Sequence, residues 1–252
     1  MHDVHYLALS LNTSARYATI AQSRSSLPEL QIFKAINGFD KRSTIAALCR
    51  SRLHFHYNSF CSFPRFGTYG SLANYLTKFL ALVHQVTHRY PFMAMLEDDM
   101  VLSPGFRPFV EELVQARFLN ASSSSSGSSG GIRPDVLVLG AWGEGYVTSL
   151  ASARRAVDSF LRQGIPLTVD IMINDGHVGR VERVRGTPWR HSVGPNLGDC
   201  LKTEHIQRGD LPRPCLAEAP KGCHRQGTCI QWYRAQTKTY CRGRRRRTAP
   251  PP

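Results

Sequence analysis

The 252-residue sequence predicts an α/β domain in which a mostly parallel sheet is flanked by helices. Short apolar runs typical of strands alternate with longer amphipathic segments typical of helices through about 190 residues. The apolar runs are nearly continuous, as expected for parallel strands that are covered on both faces. With 42% hydrophobic residues, the chain can build one well-packed domain with a small appendage.

The first elements form a β-α-β unit. Residues 6–12 predict a strand, residues 13–27 a helix that carries basic and hydroxyl side chains, and residues 30–38 a second strand. An amphipathic helix is then expected at residues 67–90, with Ser71 able to cap its start. Its apolar residues recur every three or four positions and define one buried stripe: Leu72, Leu76, Phe79, Val83, Val86 and Tyr90.

The alternation continues in the second half of the domain. A strand at residues 92–96 precedes Ser103 and Pro104, which suit the N-cap and first positions of the next helix. The Ser/Gly-rich residues 120–131 cannot bury anything, so we expect a flexible surface excursion there. Further predicted elements are strands at 135–142 and 179–186, a helix at 149–164 that ends at Gly164, and an apolar segment with an acid at 165–175.

Three adjoining acids, Glu97, Asp98 and Asp99, follow the apolar strand directly. Ligands of open parallel sheets bind beyond the carboxyl ends of the strands, where these acids fall. Because side chains alternate along an extended segment, we expect Glu97 and Asp99 on one side and Asp98 on the other. Such a pair of carboxylates suits Mn²⁺ or Mg²⁺. The alternative is an acidic turn that caps the following helix.

The formal net charge is +14, and the run CRGRRRR at 241–247 contributes five of the positive charges through its arginines. We expect residues 242–252 to form a solvated, disordered tail, because the chain carries no recognised nucleic-acid-binding motif. The remaining excess of positive charge favours an anionic substrate such as a nucleotide diphosphate. No stretch is long and apolar enough for a membrane span, so an anchor or signal, if there is one, lies outside this sequence.

Seven cysteines are present, and five of them lie in the last fifth of the chain. The absence of a C-x-x-C pair argues against a zinc ribbon, so the cysteine-rich segment at 196–241 is better explained as a disulfide-stapled appendage. Disulfides imply an oxidising compartment. We therefore expect the protein either to reside in the secretory pathway, in the lumen of the endoplasmic reticulum or Golgi, or to be secreted.

Several blocks in order resemble glycosyltransferase family 25, which includes lipopolysaccharide and procollagen galactosyltransferases. The blocks are LSLNTSARYATIAQSRSSLPELQIFKAING, GTYGSLANYLTKFLAL, MLEDDM, GYVTSLASARRAV and PLTVD, which together cover roughly residues 6–190. The sequence departs from the family at Ser71, at Asn74 and Tyr75, which stand where the family has Ser-His, and at Ser152. The stretch at 97–106 alone also resembles an N-acetylglucosaminyltransferase.

The resemblance implies a nucleotide-sugar-binding domain of the GT-A type over residues 1–195. It further implies metal-dependent, inverting transfer of a hexose, galactose first among them, from a UDP-sugar to a hydroxyl of a glycan or glycoprotein. A rival of another class is a secreted, non-catalytic protein that binds glycans or partners through a degenerate transferase domain.

The same resemblance assigns roles to individual residues. Glu97 and Asp99 would hold the metal ion, with His191 as a later contact, while Asn12, Arg16 and Asp98 would bind the donor. Asp170 matches the acid of the family's PVD block and is the candidate catalytic base, with Asp175 and Glu144 in reserve. The alternatives are that Asp170 is a strand-end acid paired with an arginine and that His191 is a structural residue.

The run CHRQGTC at 223–229 resembles part of an epidermal-growth-factor-like module that is truncated here. The connectivity of such modules implies disulfides between Cys215 and Cys229 and between Cys223 and Cys241. Cys49 with Cys61 would make a third bridge, which leaves Cys200 as an odd thiol.

Overall fold

The computed structural model describes residues 3–11, 13–57, 67–120, 133–140, 144–165, 179–192 and 203–211. The fold is α/β, with one six-stranded sheet between two layers of helices. The strands are β1 Val4–Ser10, β2 Gln31–Lys34, β3 Phe92–Glu97, β4 Met100–Leu102, β5 Val136–Leu139, β6 Gly145–Ser149, β7 Val181–Val184 and β8 Trp189–His191. The helices are α1 Ser14–Ser26, α2 Lys41–Ser51, α3 Tyr69–His88, α4 Phe106–Val114, which continues as a π-helical turn over Gln115–Leu119, and α5 Leu150–Gln163.

The main sheet has the strand order β2-β1-β3-β6-β5-β7. Its pairs are parallel except those of β6, which runs antiparallel to both β3 and β5. The prediction of a mostly parallel sheet flanked by helices is therefore confirmed. The reversal at β6 follows from the short connection after β5, because a parallel return requires a crossover of about a dozen residues or more. A separate antiparallel pair is formed by β4 and β8.

Two apolar cores lie on opposite faces of the sheet. One packs α2, α3 and α5 against the sheet, and the other packs α4 and the segment that follows α1 against it. The chain passes from β1 to β2 on one side and then places β3 on the other side of β1. The strand order therefore reverses between β1 and β3, and ligands of open α/β sheets bind at such a reversal.

The positions of α1, α3 and α5 agree with the sequence prediction, but two helix starts differ from it. Thr68, rather than Ser71, caps α3, since its side chain accepts a hydrogen bond from the Ser71 backbone N–H. The helix predicted to start at Ser103 and Pro104 begins at Phe106, after a turn in which the Phe106 N–H donates to the Ser103 carbonyl at 2.9 Å. Helix α2, which the sequence analysis did not predict, is capped by Asp40.

Helix α3 is buried on two stripes rather than one. The second stripe contains Tyr75, Lys78, Leu82 and Gln85, and in it Lys78 contacts β3 and Gln85 contacts β6. Gln85 is fully buried and exchanges hydrogen bonds with Thr148 of β6: the Thr148 hydroxyl donates to Gln85 Oε1 at 2.7 Å, and Gln85 Nε2 donates to the Thr148 carbonyl at 3.2 Å. This exchange, the Gln85–Thr148 clamp, fixes α3 on the antiparallel strand.

Cys49, which lies in α2, is disulfide-bonded. Its partner lies outside the described residues, as do the other six cysteines, so the three predicted pairings stay predictions. The tail at 242–252 and residues 121–132 also lie outside them. None of the described helices has the length and apolar character needed to cross a membrane, in agreement with the prediction of no span.

Candidate functional site

Polar and charged side chains meet at the carboxyl ends of β1 and β3, where the strand order reverses. Ser10 is the last residue of β1 and Glu97 the last residue of β3. Asp98 and Asp99 form the turn that leads from β3 into β4. The acids therefore lie at the edge that the sequence predicts, which we call the acidic edge.

Asp98 joins this edge to the start of α1. The Ser10 hydroxyl donates a hydrogen bond to Asp98 Oδ2 at 2.7 Å, and Arg16 Nε lies 3.5 Å from Asp98 Oδ1. Burial raises the pKa of Asp98 above its usual value, and Asp99 raises it further, while Ser10 and Arg16 oppose the shift. Two residues predicted to bind the donor, Arg16 and Asp98, are thus in contact.

Glu97 pairs with a residue that the sequence analysis did not single out. Lys78 Nζ lies 3.0 Å from Glu97 Oε1, with the lysine side chain 2% exposed and the glutamate side chain 24% exposed. The same ammonium lies 4.9 Å from the centre of the Tyr146 ring of β6, a distance that allows a cation–π contact. Lys78 therefore links α3 to β3 and β6 directly beneath the acidic edge.

Glu144 lies at the same edge and is almost completely buried. Its carbonyl accepts a hydrogen bond from the Glu97 N–H at 2.8 Å. Its carboxylate packs against Gly140, whose φ of +101° and lack of a Cβ make room for Glu144 and for the Trp189 ring. Of the three acids considered as base, Glu144 is the one within the described residues, and it adjoins the acids of β3.

The assignment of Glu97, Asp99 and His191 as metal ligands stays a prediction, but the structure gives the directions of two of the acidic side chains. Glu97 contacts α3 and Asp98 contacts β1 and α1, so these two side chains diverge as alternation predicts. The strand ends at Glu97, and Asp99 stands in a turn, so alternation no longer determines its direction. Within the described ranges, no three side chains of His, Cys, Asp or Glu come together as a metal site requires.

The carboxylates at the acidic edge are nevertheless ligands of the type that Mn²⁺ and Mg²⁺ prefer. The acids supply hard oxygen ligands, and Mg²⁺ is commonly held by one or two carboxylates together with substrate phosphates and waters. Such a site does not need three protein ligands. His191 lies in β8 and pairs with Met100 of β4. Its side chain is not among the parts of the chain that the structure describes.

Three predicted functional residues lie outside the described residues: Asn12, Asp170 and Asp175. Their assigned roles stay predictions, as does the His191 contact. For these positions the structure offers neither support nor correction.

Three of the four departures from the family pattern, Ser71, Asn74 and Tyr75, lie on α3. The Tyr75 hydroxyl donates to the Gly164 carbonyl at 3.0 Å, and its ring meets Phe160 edge to face, so Tyr75 ties α3 to the end of α5. Asn74 lies four residues before Lys78, and its Oδ1 is buried with no hydrogen-bond partner among the described residues. Tyr75 therefore has a structural role, whereas Asn74 Oδ1 accepts no hydrogen bond from the part of the chain that the structure describes.

Neither a scan against models of protein families nor a search of curated proteins found a match for this chain. Assignment to glycosyltransferase family 25 therefore still depends on the sequence motifs alone.

Proposed function

We propose that the chain is a metal-dependent glycosyltransferase with a GT-A-type domain. It would transfer a hexose, galactose first among the candidates, from a UDP-sugar to a hydroxyl of a glycan or glycoprotein. The observation that carries the proposal is the meeting of Arg16, Asp98 and Glu97 where the strand order reverses between β1 and β3. In doubly wound α/β folds, nucleotides bind at such a reversal of the strand order.

The proposed chemistry divides the work among a few residues. Arg16 binds the diphosphate, and the Ser10 hydroxyl fixes the Asp98 carboxylate beside it. Glu97 and Asp99 would hold Mn²⁺ or Mg²⁺, with His191 as a further contact. When bound, the ion would neutralise the charge that develops on the leaving diphosphate. In an inverting reaction, Asp170 would take the proton of the acceptor hydroxyl.

The proposed compartment is the lumen of the secretory pathway or the cell exterior. The disulfide at Cys49 supports it, because structural disulfides persist in oxidising compartments. The proposed partners are the UDP-sugar and the acceptor glycan or glycoprotein, without a specific nucleic acid.

Thermal-shift measurements with UDP-sugars in the presence and absence of Mn²⁺ test the proposal. Stabilisation by one UDP-sugar that requires Mn²⁺, and that disappears in Asp98→Asn, is the expected result. The corresponding ADP-sugar is the control for the base. No nucleotide-dependent shift under any of these conditions would refute the proposal.

A second candidate is the non-catalytic binding protein. It is favoured by one observation: Glu97 and Asp98 are each paired with a cation of the chain itself, Lys78 and Arg16. A degenerate site neutralised in this way would need neither metal nor nucleotide. Glycan binding that is unaffected by a chelator, without release of UDP from any UDP-sugar, would distinguish it from the transferase.

A further inference from the structure

Lys78 brings an ammonium group into the protein interior directly beneath the acidic edge. Removal of an ammonium from water is costly, so a buried lysine is retained where a partner compensates for the lost hydration. Here the partner is Glu97, with Nζ and Oε1 3.0 Å apart. The flat face of Tyr146 lies on another side of the ammonium, 4.9 Å away at the ring centre. The pair therefore sits between two well-packed elements, α3 and the sheet.

We propose that Lys78 is a positioning residue that presents Glu97 to a divalent cation, an inference that rests on the proposed function. Lys78 is 2% exposed and Glu97 is 24% exposed, so the ammonium holds the carboxylate from its buried side. Held there, the carboxylate is oriented, and its exposed part is the one that a divalent cation would reach. Partners that orient a ligand in this way contribute to metal affinity as the ligand itself does.

A purely electrostatic role of Lys78 predicts a change in cation affinity of the opposite sign. If Lys78 acted only as a positive charge beside a metal ligand, its removal would tighten cation binding, because like charges repel. If Lys78 orients Glu97, its removal weakens binding in spite of the relieved repulsion. The sign of the change in affinity therefore decides between the two roles.

The test compares Lys78→Met with Gln85→Leu in the full chain. Both variants remove a polar contact between α3 and the sheet, but Gln85 bonds Thr148 and Tyr90, not Glu97. The readout is the Kd for Mn²⁺ without nucleotide, from the electron paramagnetic resonance signal of free Mn²⁺. We expect Lys78→Met to bind roughly ten- to a hundredfold more weakly and Gln85→Leu to bind within about twofold of the parent. If Lys78→Met does not fold, Lys78→Gln, which keeps a hydrogen-bond donor, takes its place and should weaken binding to a smaller extent.

A metal-free measurement complements the titration. In a double-mutant cycle of Lys78→Met and Glu97→Gln, we expect a coupling of about tenfold in the unfolding equilibrium constant. A coupling near one, or a Kd in Lys78→Met equal to or tighter than that of the parent, overturns the positioning role. If the parent binds Mn²⁺ and only the positioning role fails, the proposed function stands. If the parent binds Mn²⁺ neither alone nor in the presence of UDP, both fail together.

Discussion

Substitution of Gln85 by leucine should destabilise the protein although leucine is apolar and nearly the same size. Gln85 is completely buried in α3 and holds the Gln85–Thr148 clamp across to β6. It also donates to the Tyr90 carbonyl at 3.3 Å, just beyond the end of the helix. Because leucine fills most of the volume of the glutamine side chain, the loss of stability comes mainly from the polar contacts.

The expected magnitude follows from the groups that lose their partners. Thr148 is 1% exposed, and its hydroxyl loses the acceptor at 2.7 Å, while the Tyr90 carbonyl loses a donor. An abandoned buried polar group costs about 1–3 kcal/mol. Burial of leucine in place of an amide offsets part of this cost. We therefore expect Gln85→Leu to lower the free energy of unfolding by about 2–4 kcal/mol.

Urea-induced unfolding with the disulfides intact measures this change, and the double variant Gln85→Leu/Thr148→Val is its control. Replacement of both partners by apolar groups of similar shape is often nearly neutral, so the double variant should recover most of the lost stability. A single variant within about 0.5 kcal/mol of the parent would refute the reasoning. So would a double variant that is as unstable as the sum of its two single changes.

Three further predictions concern the site and its surroundings. Asn74→Leu should raise the melting temperature of the ligand-free protein, because it removes a buried acceptor without a described partner; a lower melting temperature would show that the acceptor is used. Asp98→Asn should stabilise the nucleotide-free protein at neutral pH, since the raised pKa of Asp98 means that its charged form costs stability as pH rises through that pKa. Chemical denaturation at pH 4 and pH 7 measures this, and an effect that does not grow with pH contradicts it. The pKa values of His5 and His84 are lowered, chiefly by burial, so stability should fall as pH drops below about 6.5. His5→Phe keeps the stacking on Tyr90 and should reduce the difference in melting temperature between pH 7.5 and 5.5; an unchanged difference would exclude His5 as a source.

Strands β1, β2, β3, β5 and β7 and the main stripe of α3 were predictable because their apolar residues keep the period of the element. The second stripe of α3 was not, since Lys78 and Gln85 are polar residues at buried positions and break the pattern. Their partners lie on β3 and β6, far along the chain, and no local signal records them. Helix α2 buries only Thr44, Ala47 and Leu48, which is too small an apolar face to register as a stripe.

Strand β6 was missed for a related reason. Gly145–Ser149 contains small and polar residues, and its burial depends on neighbours on both sides rather than on its own hydrophobicity. The location of the acidic edge was predictable, because a general rule for parallel sheets fixes where ligands bind. The contacts of each acid were not, since Glu97 and Asp98 find their cations on two different helices.

The charges at the acidic edge bear on how a nucleotide would bind there. The described charged side chains there include Arg16, Lys78, Glu97, Asp98, Asp99 and Glu144, together with Lys34, which ends β2 beside Ser10. Three cations against four carboxylates leave a negative formal charge, which one divalent cation would reverse. A nucleotide diphosphate is itself an anion, so this edge would repel it in the absence of such an ion. Although the chain as a whole is strongly basic, the local charge therefore predicts that UDP binding requires the metal. This is why the dependence on Mn²⁺, more than the affinity alone, separates a transferase from a binding protein.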